Sequence, residues 1–327
     1  MSDESVGTFD PATAVREIEP GFWQIDIGFQ GRSGVIATYL IEGPGELVLI
    51  ETGPSSCLPQ LRDGLAATGH SIADLTHILV THIHLDHSGA AGPILRENPQ
   101  AKVFAHPLGV PHLIDPSRLV ASATRIYGDQ MEPLWGEFCP IPESQVHALQ
   151  NDEVIEAAGH RLQAIFTPGH AQHHVAYIDL ASKFGFTGDV GGVRMQGTEY
   201  VCPPTPPPDL NREQWWESIR QLQSLDLQRL YLTHFGEFRD VERHLADLGP
   251  NLDQFLELGA SAIDQGQEND AITAILHERM ANALGNVPAG LVTNLEWATP
   301  SYMATLGIQR WHRKRLEAAA APEKGTA

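Results

Sequence analysis

The sequence predicts an α/β protein in which two sheets are flanked by helices and followed by a helical extension. Three observations carry this reading. Strand patterns and helical patterns alternate twice over, apolar strands repeatedly end in metal-capable side chains, and beyond about residue 239 only helical periodicity remains.

Residues 22–29 (FWQIDIGF), 34–42 (GVIATYLIE) and 46–51 (ELVLIE) are rich in β-branched and aromatic residues. Glycine-containing turns separate them, so they read as three strands. Leu58, Leu61 and Leu65 mark one face of a helix from about Cys57 to near Gly69. A short strand over 78–81 leads into a histidine-rich loop, a second helix begins with Ser88 as its N-cap, and 102–105 is another strand. Residues 107–145 contain prolines 107, 111, 116, 133, 140 and 142 among Tyr127, Met131, Trp135 and Phe138. They read as a partly helical excursion, either a pocket wall or a packed crossover.

Strand patterns resume at 153–157 and 161–166, and 174–180 forms a hairpin with 184–189 about Ser182-Lys183. CPPTPPPD (202–209) is a linker. A helix opens at Asn211, with Gln214 placed for a capping box and Trp215, Ile219 and Leu222 on a core-facing stripe. Strand 229–232 ends in Thr233-His234. Val241/Leu245/Leu248 and Ile272/Ile275/Leu276/Met280 mark later helices. The last, from about Tyr302, carries Trp311 and a basic HRKR run that reads as a solvated helix end. The expected organisation is an N-terminal tail (1–18), a main domain (19–238, including the 107–145 insertion) and a C-terminal helical region (239–327).

A net charge of −20 opposes binding to a phosphate backbone, and no run of about 18 apolar residues provides a membrane span. The opening MSDESVGTFD lacks the basic and apolar regions of a signal peptide, so a cytoplasmic location is expected. Cys57, Cys139 and Cys202 are far apart and form no CxxC pair, which disfavours thiolate metal binding. The expected partner is a small-molecule substrate, with no nucleic acid and no membrane, and homodimer formation is allowed.

The chemistry concentrates in ILVTHIHLDHSG (78–89). Side chains two apart in extended backbone share a face, so His82 and His84 can grip one metal. Asp86 and His87, past the bend, can grip a second. Imidazole and carboxylate suit Zn²⁺, Fe²⁺ or Mn²⁺. Downstream, TPGH supplies His170, FTGD supplies Asp189 and YLTH supplies His234, each just beyond an apolar strand.

Together, T-H-x-H-x-D-H-x-G (81–89), P-G-H (168–170), G-D (188–189) and T-H (233–234) resemble the metallo-β-lactamase superfamily, along residues 20–238. The resemblance implies an αββα sandwich with a C-terminal helical extension. It also implies two divalent metal ions, zinc foremost. His82, His84 and His170 would hold the first, Asp86, His87 and His234 the second, and Asp189 would bridge them. Such ions would supply an activated water near neutrality for attack on a carbonyl, and Asp86 would serve as ligand and proton carrier. No G-x-S-x-G is present, which disfavours a covalent route.

The family's usual acid after the third strand is Asp, whereas this chain has Glu51-Thr52-Gly53. Glu51 is either outer support for the metals or an ordinary strand-end acid. The chain resembles the branch containing hydroxyacylglutathione hydrolases and lactonases in its helical C-terminal region. However, Ala171-Gln172-His173-His174 follows P-G-H where glutathione-thioester hydrolases carry Thr-x-Gly. The expectation is a hydrolase of a carboxylic ester, lactone or thioester. Tyr127, Met131, Trp135 and His173 are its candidate substrate contacts, and either His173 or His174 faces the pocket. The alternatives are a mononuclear iron oxidoreductase resembling persulfide dioxygenases, a β-lactamase or a phosphodiesterase.

Overall fold

The computed structural model describes residues 7–320. Two sheets pack face to face. The first has seven strands in sequence order: β1 (Val15–Glu19), β2 (Phe22–Asp26), β3 (Ala37–Gly43), β4 (Glu46–Ile50), β5 (His77–Leu79), β6 (Lys102–Ala105) and β7 (Val146–Ala148). Pairing is antiparallel from β1 to β4 and parallel from β4 to β7. The second sheet holds β8 (Val154–Ala157), β9 (His160–Phe166), β10 (Val175–Asp179), β11 (Phe184–Phe186), β12 (Arg229–Leu232) and β13 (Gly236–Phe238), in the order β13-β12-β11-β10-β9-β8. Only β11 and β12 pair in parallel, with α7 (Arg212–Gln223) in the crossover between them.

Strand alternation explains the layers. Ala37, Tyr39 and Ile41 of β3 face Phe184, Phe186 and Tyr231 of the other sheet in one buried cluster. Leu40 joins Leu61, Leu65 and Ile25 in the larger cluster, which includes α1 (Leu58–Ala67). Polar tips within the sandwich are bonded: Tyr39 donates to the Leu232 carbonyl and Tyr177 to that of Val80. Both bonds tie strand ends that carry the site.

The histidine loop contains α2 (Leu85–Ser88) and runs into α3 (Ala91–Glu97). Residues 107–145 include α4 (Val110–Ile114), α5 (Ser117–Tyr127) and α6 (Met131–Trp135). The C-terminal helices are α8 (Val241–Asp264), α9 (Asn269–Leu284), α10 (Ala289–Ala298) and α11 (Ser301–Ala320). Among the described residues, no helix is long and apolar enough to cross a membrane.

Several sequence expectations change. The strand β1 (Val15–Glu19), paired with β2, takes in the last four residues of the expected tail, and residues 1–6 of that tail lie outside the described residues. The short β7 and β13 were not anticipated, since three-residue strands carry too little periodicity to be read. Ser88 ends α2 instead of capping a helix, and its hydroxyl donates to the His84 carbonyl. Asn211 caps α7 through Gln214 N, but no reciprocal capping box forms. Gln214 Oε1 is taken by Gln172 and Asn211 N by the Gly169 carbonyl. Trp215, Ile219 and Leu222 are fully buried, as their spacing predicts.

Candidate metal centre and its cavity

The seven residues singled out by spacing come together at one edge of the sandwich. β5 lies between β4 and β6, and its chain leaves the sheet at Val80. His82 and His84 follow in the approach to α2, while Asp86 and His87 sit in its single turn. Thr52, at the end of β4, clamps that turn, with its backbone N–H and hydroxyl both donating to the His87 carbonyl. His170 follows β9, Asp189 the three-residue β11, and His234 β12.

Close backbone approach places Asp189. Gly188 has φ +46°, and a Cβ there would stand 2.5 Å from Thr81 Oγ1 and 2.8 Å from His174 Nε2. Only glycine accommodates both the conformation and the contact. His174 is the buried prop beneath. Its Nδ1 donates to Thr167 Oγ1 and its Nε2 accepts from Val190 N. His173, by contrast, lines the cavity.

Hydrogen bonds set the tautomers of the cluster. His170 Nδ1 donates to the Pro204 carbonyl (2.9 Å), His234 Nδ1 to the Val35 carbonyl (2.8 Å) and His87 Nδ1 to Glu51 Oε1 (3.1 Å). Thr81 donates its hydroxyl to Glu51 and so accepts from His82 Nδ1 (3.0 Å). All four rings therefore keep a proton on Nδ1 and turn Nε2 inward. Glu51 thus bonds His87 directly and reaches His82 through Thr81, a geometry that matches the first of the two options its sequence position leaves open. It does so in a left-handed conformation, φ +65°.

The inward atoms form two groups. His82 Nε2 and His170 Nε2 lie 2.9 Å and 3.1 Å from His84 Nδ1. Asp86, His87 and His234 form the second group, with Asp86 Oδ2 3.4 Å from His234 Nε2 and 3.7 Å from His87 Nε2. Asp189 faces both groups: Oδ2 is 3.3 Å from His170 Nε2, and Oδ1 is 3.3 Å from His87 Nε2 and 3.5 Å from His234 Nε2.

Electrostatics divides the groups. Burial, then the neighbouring imidazoles, drives His82 far below its ordinary pKa, and burial with His170 takes His84 down to about 3. Burial also pushes His87 and His234 down, but Asp86, Asp189 and, for His87, Glu51 outweigh it and raise both. Asp86 and Asp189 are penalised by burial yet held below the usual carboxylate range by these histidines. One half thus offers neutral lone pairs and the other a carboxylate-rich nest. His87 Nε2, His234 Nε2 and Asp189 Oδ1 are buried without partners. Buried polar atoms converging at these distances without hydrogen bonds suit divalent cations, which would displace the protons of these histidines, and these residues could hold a metal.

A cavity of about 370 Å³ opens over the cluster, with His84, Asp86, Asp189 and His173 among its lining. One wall is α5 and α6, including Leu119, Ile126, Tyr127 and Trp135. Trp135 stacks on Phe29 and meets Tyr127 edge-on. Met131, predicted to join them, is not among the lining residues: it opens the single-turn α6 on the same face as Trp135 but one turn earlier, and only Trp135 borders the cavity. The opposite wall is the proline-rich segment 204–208 with Trp297, Thr299 and Met303. A Cβ on Gly307 would fall 1.9 Å from the Thr205 carbonyl, so α11 lies directly against that segment. Sequence reading missed Trp297, Met303 and Leu119, since nothing in their local pattern tells that distant elements meet here.

The sequence profile of the Metallo-beta-lactamase superfamily matches residues 31–234, and the chain belongs to that superfamily. It is 30% identical over 218 residues to the metallo-beta-lactamase fold-containing protein ST1585 of Sulfurisphaera tokodaii, covering 63% of this chain and 81% of that one. An atrochrysone carboxyl ACP thioesterase of Aspergillus fumigatus is 30% identical over 63% of this chain, which spans only 52% of that protein's length. A hydroxyacylglutathione hydrolase of a Synechococcus strain is 27% identical, covering 83% of this chain and 88% of its own. The metallo-beta-lactamase family protein TTHA1429 of Thermus thermophilus shares the fold over 91% of this chain and 95% of its own, with a TM-score of 0.68 at 22% identity.

Proposed function

We propose that the chain is a dinuclear metal-dependent hydrolase that cleaves a carboxylic ester, lactone or thioester of an apolar acyl group. The observation that carries this reading is the placement of Asp189, one carboxylate oxygen towards each of two ligand groups. The relatives named as thioesterases and as a hydroxyacylglutathione hydrolase support acyl chemistry.

Two divalent ions, zinc foremost, would supply a polarised acyl oxygen and a water acidic enough to be nucleophilic near neutrality. The chain's own residues do the rest. His82, His84 and His170 offer neutral nitrogens, and Asp189 fixes the spacing between the halves. Asp86, with Oδ2 at the second group and its side chain at the cavity floor, is placed to carry a proton to the departing alkoxide or thiolate. The apolar walls exclude water and hold the acyl chain.

The test is a panel of p-nitrophenyl esters, lactones and acyl thioesters on chelated protein reconstituted with Zn²⁺, Mn²⁺ or Fe²⁺. The reading requires metal-dependent hydrolysis in at least one class. No turnover with any metal would remove it.

A further inference from the structure

His173 belongs to none of the ligand groups whose atoms converge. Yet its ring lies 5.6 Å from that of His84 and stacks on that of His82 at 6.1 Å and 17°. It lines the cavity beside His84, Asp86 and Asp189, and its side chain is only partly covered. Within it, Nδ1 is buried and has no hydrogen-bond partner. The imidazoles of the metal-ligand cluster and its prop His174 differ. Nδ1 of His82, His87, His170, His174 and His234 is bonded to a hydroxyl, a carboxylate or a carbonyl, and Nδ1 of His84 faces the cluster.

A buried N–H without an acceptor is rarer and costlier than an unfilled acceptor. With Nδ1 buried and without an acceptor, the proton of the neutral ring is assigned to Nε2. We propose that His173 donates a hydrogen bond through Nε2 to the acyl oxygen of the substrate, beside the His82–His84–His170 group. This rests on the hydrolase reading above and adds a catalytic residue to it. The acyl oxygen gains negative charge as the carbon becomes tetrahedral, so a donor fixed there favours the transition state over the ground state. His173 keeps its proton throughout, and no bond to it forms or breaks. Stacking on His82 holds the ring in place before substrate arrives, so little reorganisation is needed. With the acyl oxygen so placed, the chain beyond it lies along Leu119, Ile126 and Trp135, which selects an apolar acyl group.

The experiment compares wild type, His173→Phe and His173→Gln as full chains reconstituted with the same metal. It uses p-nitrophenyl octanoate and octanoyl-N-acetylcysteamine as substrates. Phe preserves the stacked ring without the donor, and Gln restores a donor. His173→Phe should lower kcat on the order of 10²-fold at unchanged metal content, with His173→Gln regaining about a tenth or more of the wild-type value. An unchanged kcat, a loss confined to KM, or metal loss in parallel with activity overturns the proposal. If wild type turns over nothing, the hydrolase reading fails by itself. His173 is then judged by calorimetry with octanoate, whose carboxylate presents the same oxygen. Weaker binding by His173→Phe is expected, and equal affinity or no binding by wild type overturns the assignment.

Discussion

The floor of the cavity draws its polar side chains from the ends of four strands, β5, β9, β11 and β12, whereas its walls come from α5, α6, the proline-rich segment and the start of α11. On the floor His82, His87, His170 and His234 are each aimed by a second bond, to Thr81, Glu51, Pro204 and Val35 respectively. On the walls aromatic and aliphatic side chains pack against one another, as Trp135 does on Phe29 and Tyr127. The difference teaches which part fixes the chemistry and which part fixes the substrate. A floor residue answers to geometry within tenths of an ångström, and a wall residue to buried area.

The sharpest way to break this contrast is Asp189→Ala. It removes the one carboxylate shared by both groups and should cost more than the 10–100-fold typical of an outer partner, in metal content and in kcat together. Elemental analysis beside an esterase assay reads both, and retention of two metals per chain would contradict the role given to Asp189.

A second prediction concerns how the C-terminal helices support the floor. His244 of α8 is fully buried, donates Nε2 to the Gly191 carbonyl in the turn carrying Asp189, and lies beside Arg194. Burial lowers its pKa to about 4 from an ordinary 6.5. Between those values the unfolded chain binds the proton more tightly. The neutral ring's contribution is therefore full above pH 6.5 and is lost as pH falls towards 4, by up to about 3 kcal/mol. Urea unfolding of wild type and His244→Gln at pH 7 and pH 4.5 should show a shallower decline in the variant. Identical declines would deny His244 this part.

Glu51→Gln probes the floor one layer out. It should weaken metal affinity about 10–100-fold while leaving the fold intact, read by competition with a chromogenic chelator. Glu51→Asp would show whether the extra methylene and the left-handed backbone matter. On the wall, Trp297→Ala should raise KM for an octanoyl ester by about tenfold, leave an acetyl ester nearly unchanged and leave metal content untouched. Equal effects on both esters would mean that the wall does not read chain length.

The floor was legible in the sequence because its signal is local. Four ligand-type residues crowd 82–87, and three more each follow an apolar strand. The support role of Glu51 was readable only as one of two options, since its bonds to His87 and Thr81 join positions about 30 residues apart. His173 and His174 are adjacent and chemically identical, so only the register of β10, which begins at Val175, distinguishes prop from cavity lining. Tyr127 and Trp135 were found because an insertion rich in aromatics and prolines is conspicuous. Met131 was a miss from the same cue, and Trp297 gives no local cue at all. The strands β1, β7 and β13 were missed because edge strands of three to five residues carry weak alternation.

The most direct test of the central claim is a metal titration into chelated protein, followed simultaneously by elemental analysis and by hydrolysis of the best acyl substrate. Two equivalents of a divalent ion per chain, with activity rising to a plateau at the second, is the predicted result. Saturation at one iron per chain without acyl hydrolysis would contradict it.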